Sequence, residues 1–125
     1  MAEFGLVATN GVLTALATHR RAWGDDHYAR GVDQAIEEMA ELTTALLHER
    51  RGRSAATRET VLGEIADVCL CLELIGQHHK ITRAELLSVV TEKAVKLDVA
   101  LESGTADPRI KAAHIEERDR AAKGR

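Results

Sequence analysis

The chain has 125 residues, enough for one domain with a modest core and too few to expect a second. Hydrophobic residues make up 45% of it but aromatic ones only 2%, so the core must be packed from Leu, Val, Ile and Ala, a palette that favours helices. A net charge of −3, with acids and bases interspersed, supplies no basic footprint for duplex nucleic acid and no polybasic patch for a membrane surface.

Helical periodicity begins at about Thr9 and runs to Ala22, with Val12, Leu13, Leu16 and Ala17 recurring on one side and Thr9 or Asn10 available as a cap. Trp23-Gly24-Asp25-Asp26 interrupts the pattern. A second helix is predicted from about Tyr28 to Arg51, its apolar arc formed by Val32, Ala35, Ile36, Met39, Leu42, Leu46 and Leu47. Arg50 and Arg51 suit the carbonyl end of that helix, and Gly52 to Ser54 supplies a turn. A third helix follows from about Arg58 to Gln77. Thr82-Arg83-Ala84-Glu85 is a capping box that opens a fourth, running to about Glu102 and stopping at Ser103-Gly104. From Thr105 onward the chain holds its only proline, Pro108, and mostly charged residues and alanine with a thin apolar face, so a charged tail over 105–125, either helical or frayed or docked on a partner, is expected after an all-α domain over 1–104. The expected architecture is four-helix-bundle-like, with a small core completed by dimerisation through the helices.

Cys69 and Cys71 stand two residues apart in a helix and point to nearly opposite sides, so they read as small core hydrophobes in a reducing compartment rather than as a disulfide or a metal pair. His78 and His79 are expected to meet a helix's carbonyl end or solvent. No signal-peptide core and no apolar run of membrane-spanning length is present, which points to a cytoplasmic protein. Phosphate-cradling, dinucleotide-binding and serine-elbow glycine motifs are missing, which argues against P-loop, Rossmann and serine-hydrolase chemistry.

The acids carry the strongest signal. Glu38 and Glu41 on the second helix, and Glu64 and Asp67 on the third, have i,i+3 spacing and mirror one another about a turn near Gly52. An antiparallel hairpin brings Glu41 level with Glu64 and Glu38 level with Asp67. At about 100° per residue, Glu64 falls among Val61, Val68, Cys71, Leu72 and Ile75, and Glu38 borders the apolar arc beside Leu42, whereas Glu37 is phased furthest out. Four clustered carboxylates need compensating charge, and a hard divalent cation with oxygen ligands is the simplest source. Lys93 is also phased among apolar residues, Leu86, Val89, Val90, Leu97 and Ala100, so its ammonium is expected to point inward, as an ion-pair partner of the acids or a phosphate contact; Lys96 lies toward the edge of that face. Trp23, His27 and Tyr28 precede the acidic helix and could stack on a flat ring or simply pack at the junction, and Gln34 lies one turn before Glu38 on the same face.

Glu37-Glu38-Met39-Ala40-Glu41 followed by Glu64-Ile65-Ala66-Asp67, with Trp23-Gly24, Gln34, Glu41-Leu42, Asp67-Val68 and Lys93 to Lys96-Leu97 around them, resembles the MazG-like all-α nucleoside triphosphate pyrophosphohydrolase family over roughly Thr14 to Leu101. Leu97-Asp98 departs from it where a further basic or amide residue is usual. The resemblance implies Mg²⁺-dependent attack of water on the α-phosphorus of a nucleoside or deoxynucleoside triphosphate, with Mn²⁺ as a substitute cation. It implies Glu38, Glu41, Glu64 and Asp67 as metal ligands, Lys93 and Lys96 as phosphate contacts, Trp23 and Gln34 as substrate contacts, and a homodimer or homotetramer. Related chemistries of the dimeric dUTPase, dCTP pyrophosphatase and phosphoribosyl-ATP pyrophosphohydrolase types share such an acidic hairpin, and a non-catalytic helical dimerisation module with a structural ion network is the reading from outside the enzymes.

Overall fold

A computed structural model describes residues 4–53, 57–102 and 108–124; Ser54, Ser103 and Gly104, expected in turns, lie outside them. Among the described residues there is no strand. The helices are α1 (Asn10–Trp23), α2 (His27–Arg50), α3 (Arg58–His78), α4 (Arg83–Glu102) and α5 (Pro108–Lys123), with a short 3₁₀ turn at Gly24–Asp26. The chain forms two compact units, Met1–Arg83 and Ala84–Arg125. None of the described helices is long and apolar enough to cross a membrane.

The first unit is built on an antiparallel hairpin of α2 and α3, with α1 packed on α2. Four helix ends have a local cause. Thr9 caps α1 by accepting from the Val12 amide at 3.3 Å, and Thr57 caps α3 by accepting from the Thr60 amide at 3.2 Å. α2 closes in a Schellman turn: Gly52 (φ 68°) donates to the Glu49 carbonyl and Arg53 to that of His48. α3 ends the same way, with Lys80 (φ 54°) donating to Gln77 and Ile81 to Gly76. The hairpin is tight because α2 carries Gly31 opposite Leu74; a Cβ there would stand 2.6 Å from Leu74 Cδ2.

The start of the chain is strapped to the far half of α3. Phe4 lies over Gly76, where a Cβ would meet its ring at 2.3 Å. Glu73 is fully buried, and its carboxylate accepts from the Gly5 amide at 3.2 Å and the Val7 amide at 3.0 Å, while the Arg83 guanidinium donates to the Gly5 carbonyl at 3.0 Å. Charge-assisted bonds to backbone amides are what make a buried carboxylate tolerable.

The apolar core is small: Phe4, Leu16, Ala35, Ala45 and Cys71 are its buried members among the described residues. Of the arc predicted on α2, Val32 and Leu42 are half-buried, but Ile36, Met39, Leu46 and Leu47 stay exposed.

In the second unit, α4 exposes Leu87, Val89, Val90, Val95, Leu97 and Val99. Lys93, expected to point inward, is exposed, as are Val89, Val90 and Leu97 of the apolar face its phase implied. Lys96 is exposed too and pairs with Glu92 at 3.4 Å. The segment from Pro108 is a helix, the alternative the sequence left open beside a frayed or docked tail. Proline is pre-set for the first helical position, and Arg120 pairs one turn back with Glu116 at 3.4 Å and Glu117 at 2.6 Å, so i,i+3 and i,i+4 ion pairs support a helix with a thin apolar face. His114 Nε2 lies 3.5 Å from Asp98 Oδ1 on α4.

Candidate metal centre and adjoining cleft

The hairpin register brings the acids together. One carboxylate oxygen from each of Glu38, Glu41 and Glu64 lies within 4.8 Å of the others, the one such group of potential metal ligands among the described residues. Asp67, on the same stretch of α3, shares a cleft wall with Glu38 and acts electrostatically on both Glu38 and Glu64. Burial pushes the Glu38 carboxyl above the usual carboxylate range, and the charges of Glu41, Asp67, Glu64 and Glu37 add to the effect. Glu64 is raised likewise, by burial first, then by the charges of Glu41 and Asp67 and by the hydrogen-bonding approach of the Glu41 carboxyl. Glu38 Oε2 and Glu64 Oε2 are shielded from solvent and have no hydrogen-bond partner among the described residues. Two acids stand outside the three-carboxylate set: Glu37, as its phase predicted, and Asp67, which was expected inside it.

This donor set fits a hard cation. It is all oxygen, it is rich in negative charge, and its orphaned lone pairs lack a protein donor. Oxygens around a cation at about 2.1 Å lie roughly 3–4 Å apart, so a spacing within 4.8 Å asks only for side-chain rotation.

Beside the carboxylates, α1, α2 and α3 enclose a cleft of about 180 Å³. Its polar lining is His19, Gln34, Glu38 and Asp67; Leu16, Leu70 and Leu74 are prominent in its apolar wall. Gln34 therefore shares a cavity with Glu38, as its position one turn earlier implied. Cys71 also lines it, and burial, with Glu38 and Asp67 nearby, raises its thiol. Both cysteines are free. Trp23, 46% exposed, lies on an adjoining hollow shared with Gln34 and Glu38, with the Arg30 guanidinium 3.7 Å over its ring. One face of the indole is thus occupied from within the chain.

Tyr28 is committed to packing. It stacks on His78 with ring centroids 3.7 Å apart and hydrogen-bonds His79 Nε2 at 2.7 Å. The two histidines therefore bind the end of α3 to the start of α2, a role their position near a helix end did not suggest. Burial, then the neighbouring His79 and His27, lowers the His78 pKa. Sequence reasoning missed two residues. Glu73 had a signal, an acid among Cys69, Leu70, Cys71, Leu72, Leu74 and Ile75; His19 had none beyond lying on the first helix.

No protein-family model matches the chain, and neither the curated proteins nor the solved structures include a significant match.

Proposed function

We propose that the protein is a divalent-cation-dependent nucleoside triphosphate pyrophosphohydrolase. The observation that carries this reading is the cluster of Glu38, Glu41 and Glu64 carboxylates with two solvent-shielded, unpartnered oxygens, arranged across a hairpin whose sequence resembles that family's. A purely structural ion network would instead pair those oxygens with cations of the protein.

Glu38, Glu41, Glu64 and Asp67 would hold Mg²⁺, or Mn²⁺ in its place. When bound, the cation supplies charge neutralisation for the phosphates and acidifies a water. Water oxygen bonds to the α-phosphorus, the bond from that phosphorus to the bridging oxygen breaks, and the products are a nucleoside monophosphate and pyrophosphate. A carboxylate of the cluster takes the proton that the water loses. Gln34, in the same cleft, orients the bound nucleotide. Assembly with a second copy is part of the reading: Ile36 and Met39 on α2, and Leu62 and Ile65 on α3, form exposed apolar stripes that a lone chain leaves in water.

The test is a Mg²⁺ titration followed by thermal unfolding and by pyrophosphate release from a nucleoside triphosphate. The reading expects a Mg²⁺-linked rise in stability together with turnover, both lost in Glu38→Gln. Stability indifferent to Mg²⁺ and no turnover would leave the acids as a structural feature.

A further inference from the structure

The exposed Arg30 side chain lays its guanidinium over the face of Trp23, with Cζ 3.7 Å from the ring centroid. Such a contact fixes the position of the cation and leaves its N–H donors available around the rim. Among the described residues no hydrogen bond or ion pair engages those donors, although Asp33 and Glu37 line the same hollow. An arginine kept only to offset these acids would pair with one of them, as Arg120 does with Glu116 and Glu117.

The hollow reaches the carboxylate cluster. It has a volume of about 450 Å³, and Glu38 shares its lining with Trp23, Arg30, Asp33 and Glu37. Arg30 precedes Glu38 by eight residues of α2, two turns and about 12 Å along the helix. A cation held at Glu38 marks one end of that line and the guanidinium the other. Because Asp33 and Glu37 repel anions, an anion is favoured in the hollow only where it meets these positive groups, and a linear polyanion running from one to the other meets both. The arginine fork also matches two oxygens of one phosphate. In the reaction proposed above the cation meets the phosphates and no cationic side chain does.

We propose that Arg30 receives the terminal phosphate of the triphosphate, the one furthest from the cluster, and that Trp23 is a positioning residue that holds the guanidinium for it. This role rests on the hydrolase reading. It gives the leaving pyrophosphate a charged protein contact, and it explains why a guanidinium surrounded by acids is stacked on an indole instead of paired with a carboxylate.

The experiment combines steady-state kinetics with calorimetry of pyrophosphate binding, both with Mg²⁺, on wild type, Arg30→Gln, Arg30→Lys, Trp23→Phe, Trp23→Leu and the Arg30→Gln/Trp23→Leu double variant, with helicity and thermal unfolding recorded for each. For a triphosphate that wild type hydrolyses, Arg30→Gln should lower kcat/KM at least about tenfold, and pyrophosphate should bind at least about tenfold more weakly. The inhibition constant of the matching nucleoside diphosphate, which lacks the terminal phosphate, should change less than about twofold. Arg30→Lys, which keeps the charge without the fork, should fall between wild type and Arg30→Gln. Trp23→Leu should lose about as much as Arg30→Gln and Trp23→Phe less, since phenylalanine keeps a ring face; the double variant should be no worse than Arg30→Gln alone, because Trp23 acts through Arg30. Wild-type kinetics in Arg30→Gln, an equal loss of affinity for tri- and diphosphate, or additive losses in the double variant would each overturn the proposed roles while leaving the hydrolase intact. No turnover of any triphosphate by wild type would instead overturn the hydrolase reading, and the role of Arg30 with it.

Discussion

Replacing Gly76 by alanine is expected to destabilise the protein by about 2 kcal/mol, although the same change in an open helix stabilises it by about 1 kcal/mol. The added Cβ would stand 2.3, 2.5 and 2.6 Å from three atoms of the Phe4 ring, against a carbon–carbon optimum of about 3.5–4.0 Å. The ring must therefore retreat by about 1 Å or more, and being rigid it cannot bend away. Phe4 is only 7% exposed, and complete loss of such a contact costs about 3–5 kcal/mol, while overpacking absorbed by small shifts costs about 1–3 kcal/mol. Taking about 3 kcal/mol as the steric cost and subtracting about 1 kcal/mol of helix gain leaves about 2 kcal/mol. Two other glycines on the same hairpin calibrate this cost. A Cβ added at Gly63 would have nothing within 4 Å, so Gly63→Ala should stabilise by about 1 kcal/mol. Gly31→Ala meets Leu74 Cδ2 at 2.6 Å, the far end of a flexible side chain, and should fall near zero. Urea and thermal unfolding at one protein concentration measure the series, at about 4 °C per kcal/mol for a chain of this size. In a Phe4→Ala background, Gly76→Ala should become stabilising. Gly76→Ala as stable as Gly63→Ala would refute the docking of Phe4 on α3.

Glu38→Gln and Asp67→Asn, each nearly isosteric, should abolish turnover while leaving helicity intact and the cation-free protein as stable as wild type or more so; near-wild-type turnover in both would remove the metal-site assignment. The Glu38 and Glu64 carboxyls are raised above their ordinary value of 4.5, chiefly by burial, so between that value and the raised ones the folded state holds more protons than the unfolded state. Their contribution to cation-free stability therefore falls as pH rises through that window. Urea melts from pH 4 to 7 should show this loss to be smaller in Glu38→Gln and offset by Mg²⁺, which binds the ionised form; the same slope in both proteins would contradict it. Glu73→Gln replaces a buried acceptor of two backbone amides by a group that can satisfy only one, and should cost about 1.5–3 kcal/mol; a change within 0.5 kcal/mol, about what a surface substitution produces, would show that the strap contributes little.

What the sequence made legible follows a physical divide. The acidic hairpin could be read because both partners are regular helices: an i,i+3 spacing and an approximate turn position suffice to bring Glu38, Glu41 and Glu64 together, with Asp67 beside them but outside the set. Helix ends were legible where a capping side chain or a glycine marks them, as at Thr9 and Gly52. The exposure of Lys93 was not, because phase reports which face is apolar and says nothing of what covers it. The helix at 108–123 was left open because its apolar face is thin, and what favours it is Pro108 at a first helical position and ion pairs one turn apart. The strap through Phe4, Gly5, Val7 and Glu73 depends on contacts 66 to 68 residues apart, which no local pattern encodes. His19 becomes conspicuous only when α1 is laid against α2 and α3 and its Nδ1 is found without a partner among the described residues.

The most direct measurement is product analysis: wild-type protein with Mg²⁺ and a panel of nucleoside and deoxynucleoside triphosphates, resolved for mono- and diphosphates and for pyrophosphate and orthophosphate. The carboxylate cluster acting on the α-phosphorus predicts nucleoside monophosphate and pyrophosphate in equal amounts for at least one triphosphate, with neither formed by Glu38→Gln. Nucleoside diphosphate and orthophosphate as the main products, or no Mg²⁺-dependent product from any triphosphate, would contradict it.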